Sequence, residues 1–481
     1  MQIIYDVMNW IDSNILWGIP MIVFIVASGI FLTIKSRFFQ VNKFGYALKQ
    51  TMGETVRQMG GKNKKSGDVS PFEAFATAVS GTVGTGNIVG VTTAIISGGP
   101  GAVFWMWVSA FFGMITKFSE ITLGLYFRKK DEKGEYIGGP MFYIEKGLKC
   151  KWLAILFAVF TILAAIGMSS VQANTIQTTW NATFNIPIWV TAIIIAILTG
   201  LVIIGGIKRI SKVASLLVPF MVVLFIIVAL VLVACNIAQI PAVFASIFTS
   251  AFTTKSMIGG FLGYGIMSAM RFGFARGVFS NEAGLGSSTI AHSTASEVEP
   301  VKQGLWGIFE IFVDTIIICT LTAIVVLSAN LGGTDGATVA LNSFSSVGKI
   351  FGTICKYLYS IILPLFAFTT ILAWAVYGAK ASQYIFGKKF VLPFNILYTV
   401  LIIGMALLTF FAGDNLGSDF VWLISDMTNA LMAIPNIIAL IALSGLTVKI
   451  TKNYFARKKG EDVAPMLSAY DDVNNELISK L

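Results

Sequence analysis

Eleven apolar runs, each close to the length of a bilayer crossing, restrict this chain more than any other feature. They fall at about 13–35, 71–96, 101–127, 152–179, 187–206, 213–236, 258–284, 302–328, 354–379, 391–411 and 419–447. A membrane helix needs roughly 20 apolar residues at 1.5 Å of rise per residue. Charged residues make up only 12% of the 481, about half the ~25% of soluble domains. A soluble fold of this composition would expose apolar surface it has no means to cover. The first run, Ile15 to Ile34, ends at Lys35 and Arg37. It has no basic leading region and no small-residue cleavage site, so it reads as a span and not as a signal peptide. The expected class is an all-α polytopic membrane protein.

The cations sort by side. The loop 35–70 carries Lys35, Arg37, Lys43, Lys49, Arg57, Lys62, Lys64 and Lys65, and 128–151 is similarly basic. Lys208, Arg209 and Lys212 follow the fifth run, Lys380, Lys388 and Lys389 the ninth, and Lys449 to Lys459 the last. The alternate loops 180–187, 329–348 and 412–418 hold no Lys or Arg. By the positive-inside rule this places the N-terminus outside and the C-terminus in the cytoplasm of a cell-membrane protein. The net charge of +10 is therefore mostly topology, and no basic-aromatic patch outside these loops points to nucleic acid. Cys150, Cys235, Cys319 and Cys355 are dispersed and His292 is the single histidine, so no metal or redox framework is proposed.

Within the second run, SGTVGTGNIVGV (Ser80 to Val91) approaches a phosphate-binding glycine loop. The spacing is GxGxxxG, no strand precedes it, and no acidic residue lies between Glu73 and Glu120. The dinucleotide reading fails on all three counts. Gly81, Gly84, Gly86 and Gly90 instead weaken a membrane helix, at roughly 1 kcal/mol per interior glycine. The bland alternative is close helix packing on small residues. A break at membrane depth would expose amide N–H groups and free carbonyls, which suit a carboxylate and a small cation. Inverted-repeat transporters carry a second break about five spans later. RGVFSNEAGLGSS, Arg276 to Ser288, supplies one, with Gly284 and Gly286 echoing Gly84 and Gly86. Glu282 lies within it, either as a functional intramembrane carboxylate or as a cap on the half-helix.

Taken together, GTGNIVGV, GGPGAVFWMW and GVFSNEAGLGSS resemble the alanine/glycine:cation symporter family, sodium-coupled amino-acid carriers of bacteria and archaea. The resemblance covers nearly the whole chain. It implies the LeuT-type fold of the APC superfamily, an inverted repeat of five plus five helices. The repeats would occupy 71–236 and 237–447, after an extra N-terminal helix and basic linker (1–70) and before a cytoplasmic tail (448–481). It further implies that the amides of Thr85 and Gly86 receive the substrate carboxylate and the carbonyl of Thr82 its ammonium. Sodium, the coupled ion, would be held by carbonyls of Ser80 and Val83 and hydroxyls of Thr369 and Thr370. Phe279 would present a carbonyl to the amine, Ala283 would face the side chain, and Trp374 would limit its size. Met168, Gln172 and Asn174 would complete the pocket. Gly81 stands where some relatives supply an acidic side chain, which draws attention to Glu282. Arg276 and Asp426 would form an external salt-bridge gate.

Other polar residues in the runs have simpler readings beside the functional ones. Glu310 and Asp314, four apart, fit a cation path or a buried network equally. Lys117 and Glu120 read as a local i, i+3 pair, and the segment from Lys452 as a mobile tail. The expected function is sodium-coupled symport of a small neutral amino acid (alanine, glycine or D-alanine) with a lipid bilayer as its setting. No organic cofactor and no obligate protein partner is expected. A proton-coupled carrier of the same fold, or an ion channel, is the alternative. A membrane enzyme lacks a nucleophile with a base.

Overall fold

The computed structural model describes residues 2–59, 69–132, 134–253, 264–333, 335–412 and 414–480. Among them, seven helical passes are long and apolar enough to cross a membrane, from Ile3–Lys35 to Asp419–Lys458. Ile188–Ile203, Val391–Ala412 and two interrupted passes complete eleven crossings. The all-α architecture with about eleven spans is the expected one.

The first interrupted pass begins with a capping box. Ser70 Oγ accepts from the Glu73 amide (3.2 Å), Glu73 Oε2 accepts from the Ser70 amide (2.9 Å), and Pro71 occupies the first turn. Such a start satisfies donors that the helix cannot. Helix Pro71–Thr82 then stops where Val83 and Gly84 turn extended, and a single 3₁₀ turn, Thr85–Asn87, leads into Val89–Gly98. The second interrupted pass runs Tyr264–Asn281 and resumes as Ser287–His292. Between them Glu282, Gly284 and Gly286 have φ of 54°, 95° and 75°. Gly284 and Gly286 take such angles freely. Glu282 does not, and a non-glycine residue held there costs of order 1–3 kcal/mol.

This second break corrects the expected run 258–284. Residues 254–263 lie outside the described ones, and the pass continues to His292 because the glycines interrupt it and do not end it. Around the two breaks stand the long helices Gly101–Tyr126, Lys151–Phe184, Lys349–Phe386 and Asp414–Lys458. The eighth run contains a π-helical stretch, Phe312–Cys319. An irregularity of that kind is often found at functional positions.

The ends of the bundle differ in charge. One end gathers the basic loops, joined by Lys388–Asp131 (2.5 Å), Lys130–Glu476 (2.6 Å) and Arg457–Glu299 (2.6 Å). The expected mobile tail is docked here. Helix Asp471–Ile478 buries Val473 and Leu477, and the Ala469 amide donates to the Tyr126 carbonyl at 2.8 Å. Hydrogen bonds from Lys130 and Lys480 hold the Glu476 carboxyl below its usual range. The tail's charge disguised the apolar residues that anchor it.

Candidate functional site

At the first break the free backbone donors have specific acceptors. The Gly84 amide donates to Asn87 Oδ1 (2.9 Å) and the Thr85 amide to Gln172 Oε1 (3.1 Å). A Cβ on Gly84 would stand 2.5 Å from Thr370 Oγ1 and 3.2 Å from Gln172 Oε1. Glycine is therefore required there by the approach of two other helices. Thr370 and Thr369 both donate to the Phe366 carbonyl at 3.0 Å. They diverge beyond that: Thr370 lies at the break, whereas Thr369 Oγ1 is 3.5 Å from Met221 Sδ. Ser80, Thr82, Val83 and Thr85 are all buried, with Ser80 Oγ on the Thr77 carbonyl and Thr82 Oγ1 on that of Val79. Among the described residues the Thr85 hydroxyl has no hydrogen-bond partner.

At the second break side chains from two long helices, Gly101–Tyr126 and Asp414–Lys458, bond the backbone groups the helix leaves free. The Gly284 amide donates to Glu120 Oε1 at 2.9 Å. Asn436 Nδ2 donates to the same oxygen (2.7 Å) and to the Gly284 carbonyl (2.8 Å), while Tyr143 donates to Asn436 Oδ1. Lys117 Nζ donates to the Asn281 carbonyl (2.7 Å), at the half-helix C-terminus where a cation is favoured. Lys117 also pairs with Glu310 at 3.2 Å, and Glu310 lies 3.2 Å from His292, whose other ring nitrogen is 2.8 Å from Gln303 Nε2. Glu282 accepts from Trp374 Nε1 at 3.0 Å and from Ser287. So Lys117 and Glu120 are not the local pair their spacing suggested. Each is turned into the break by a different partner.

Asp314 ties the two breaks to each other. Its Oδ1 accepts from Asn87 Nδ2 (2.6 Å), and its Oδ2 accepts from Ser280 (2.9 Å) and Thr315 (2.8 Å). Glu310 and Asp314 thus serve separate networks. Four carboxylates (Glu120, Glu282, Glu310 and Asp314) are buried here with one ammonium, Lys117, and one imidazole, His292. Buried carboxylates without matching cations are costly, and cation entry relieves that cost. The described residues contain no cluster of three or more Cys, His, Asp or Glu side chains able to hold a metal ion.

Phe279 roofs the first break. A Cβ on Gly86 would lie 3.1 Å from its ring, and the ring is 5.5 Å from that of Trp422. Over both rings, at 5.4 Å, lies the Arg276 guanidinium. It grips Asp426 through two bonds, Nη1–Oδ1 (3.0 Å) and Nη2–Oδ2 (2.9 Å). Trp17, from the first pass, donates to the Asp426 carbonyl at 2.9 Å. Beyond this pair opens a cavity of about 890 Å³ at the end opposite the basic loops, lined by Asp12, Asn174, Arg271, Asp335 and Asp419.

The structure therefore brings together Thr85, Gly86, Gln172, Phe279 and Thr370, with Arg276 and Asp426 above them. Trp374 and Glu282 meet each other. Met168 faces elsewhere, accepting from Ser425 and Asn429 at 3.0 and 3.1 Å. Ala283 packs against Gly113, and Asn174 lines the outer cavity. Sequence reasoning gave no role to Asn87 or Asn436. Their amide side chains stood in apolar runs as visible signals, but their partners are distant in sequence.

Comparison with known proteins places the chain among membrane transporters. The chain is 41% identical to an uncharacterized transporter of Haemophilus influenzae, over 95% of this chain and 97% of that one. It is 40% identical to the sodium/alanine symporter AgcS of Methanococcus maripaludis, over 95% and 98%. Among solved structures, MhsT in complex with L-phenylalanine matches with a TM-score of 0.57 at 15% identity, covering 81% of this chain and 99% of that chain. That likeness is one of fold, the LeuT type. A family model for the sodium:alanine symporter family matches residues 1–468. This multi-pass membrane protein, a transporter and not an enzyme, belongs to the sodium:alanine symporter family.

Proposed function

We propose that the chain carries a small neutral amino acid, alanine foremost, into the cell together with Na⁺. The observation that carries this reading is the Thr85 amide, a buried donor at a helix break, aimed at Gln172 Oε1 with the Thr370 hydroxyl beside Gly84. An amide at the start of a half-helix is a natural seat for a carboxylate. Gln172 holds that seat until the substrate carboxylate takes its place on Thr85 and Gly86. Carbonyls of Ser80 and Val83 with the hydroxyls of Thr370 and Thr369 form the sodium site. An all-oxygen set without its own carboxylate suits a monovalent hard cation. The surplus of buried carboxylates, Glu282 among them, supplies the field that favours both Na⁺ and the substrate ammonium.

Arg276 and Asp426 close the outer side above Phe279. The N-terminus lies outside and the basic end in the cytoplasm, following the cation asymmetry. The two repeats, 71–236 and 237–447, rock about the breaks to alternate access. Sodium binding favours the substrate-ready state, and linkage requires the substrate to raise sodium affinity by the same factor. Uptake of labelled alanine into proteoliposomes, with Na⁺ replaced by K⁺ and competition by glycine, serine and D-alanine, tests the reading. Accumulation that ignores Na⁺ and follows a proton gradient would replace it with the proton-coupled alternative.

A further inference from the structure

A second cavity lies on the outer face of the bundle at the basic end. It measures about 570 Å³ and runs between helices Ile188–Ile203, Gly206–Cys235, Lys349–Phe386 and Val391–Ala412. Ile203, Ile207, Val376 and Gly200 line its floor. Ile204 and Ile396 on its rim are 77% and 57% exposed, which places the opening towards the hydrocarbon. Pockets of roughly 300–1,000 Å³ hold small molecules, and an apolar one facing lipid suits an acyl chain.

The mouth of this groove has an unmatched charge. Asp131 is paired with Lys388 at 2.5 Å and Glu135 with Lys208 at 3.5 Å. Lys380 also lines the mouth, and its ammonium reaches the neutral Gln383 Oε1 at 3.3 Å. Among the described residues Lys380 makes no ion pair. Three ammonium groups therefore face two carboxylates, leaving one positive charge beside an apolar slot. A lysine ammonium is a point charge that suits phosphate, and basic pockets between membrane helices take lipid head groups.

We propose that this groove binds one anionic glycerophospholipid, with its phosphodiester on Lys380 and an acyl chain along Ile203, Ile207 and Ile396. A zwitterionic lipid fits less well, because both carboxylates that would receive its ammonium are already paired. A free phosphate would leave the apolar length of the groove empty. Two walls of the groove belong to the helices that carry Met221 and Thr370, so an occupant touches elements that reach the first break.

Native mass spectrometry of the purified full chain, titrated with phosphatidylglycerol and phosphatidylcholine of equal acyl length, tests this. One phosphatidylglycerol per chain is expected, preferred about fivefold, the scale of one lysine contact with an anionic head group. Lys380→Gln should abolish the preference and Lys380→Arg should keep it. At Gly200 a Cβ meets only Thr399 Cγ2, at 3.7 Å, so Gly200→Leu should fit, fill the slot and lower retention of both lipids. Equal retention of the two lipids by the unaltered chain would overturn the proposal. So would unchanged retention in both Lys380→Gln and Gly200→Leu. Disulfide-linked pairs of chains through Gly200→Cys would assign the groove to a second copy and overturn it as well.

Discussion

The Thr85 amide and the Gln172 carboxamide oxygen meet at 3.1 Å, at the point where the first broken helix offers no carbonyl to its own N–H. A side chain thus holds a position that a substrate carboxylate would claim. Gln172→Glu would fix a charge there and repel the substrate carboxylate. The expected result is an apparent KM for alanine raised about tenfold or more, a ~1.4 kcal/mol effect. Initial rates in proteoliposomes measure it, and an unchanged KM would remove Thr85 from the substrate site.

The adjacent hydroxyls are predicted to be unequal. Thr370 stands against Gly84 while Thr369 is turned towards Met221. Thr370→Ala should raise the half-saturating Na⁺ concentration more than Thr369→Val does, by about five- to tenfold, the size of one lost hydrogen-bonding ligand. Thr369→Val with Thr370→Ala should abolish sodium stimulation. Normal stimulation in that double variant, measured as uptake against Na⁺ concentration, would sink the sodium assignment.

Arg276 and Asp426 share a two-bond ion pair whose side chains are 14% and 12% exposed. Breaking a largely desolvated pair leaves one charge stranded, at about 2–5 kcal/mol. Arg276→Asp and Asp426→Arg should each reduce uptake by on the order of tenfold or more. Combining them should restore a substantial part. Failure of the double reversal to recover any transport would count against a gate made by these two residues.

Lys117 is predicted to matter for folding before it matters for transport. Its ammonium is fully buried and touches Glu310 and the end of the half-helix. Lys117→Gln should destabilise by about 3–5 kcal/mol, because Glu310 is left without its cation. Adding Glu310→Gln should recover most of that loss. Thermal unfolding in detergent reads both, and a double variant no more stable than the single would show that the pair is not the cause.

Much of this was legible in the sequence, for reasons that differ by feature. The two breaks announce themselves because clustered glycines are costly in a helix, and the Glu282 region is polar against an apolar ground. That Thr370 belongs at the first break followed only from family resemblance, which set it beside Ser80 and Val83; its approach to Gly84 was not foreseen, since nothing local links residues so far apart in the chain. The network around Lys117 was misread because i, i+3 spacing suggests a local pair. Burial turned both side chains towards the second break, where free backbone groups compete for them. The docked tail was hidden for the opposite reason: its apolar anchors, Val473 and Leu477, are outnumbered by charges.

Asp314 remains, on its π-helical stretch, with one oxygen on Asn87 and the other on Ser280. A single carboxylate pins the junctions of both interrupted helices, so neither junction swings without tugging the other. On the proposed symport, this tie would gear the carrier against slippage, by holding one cargo site while the other stays clamped. We expect Asp314→Ala to turn it leaky, with labelled sodium crossing when no amino acid is present. Sodium flux in that variant still strictly dependent on alanine would show that the gearing lies elsewhere.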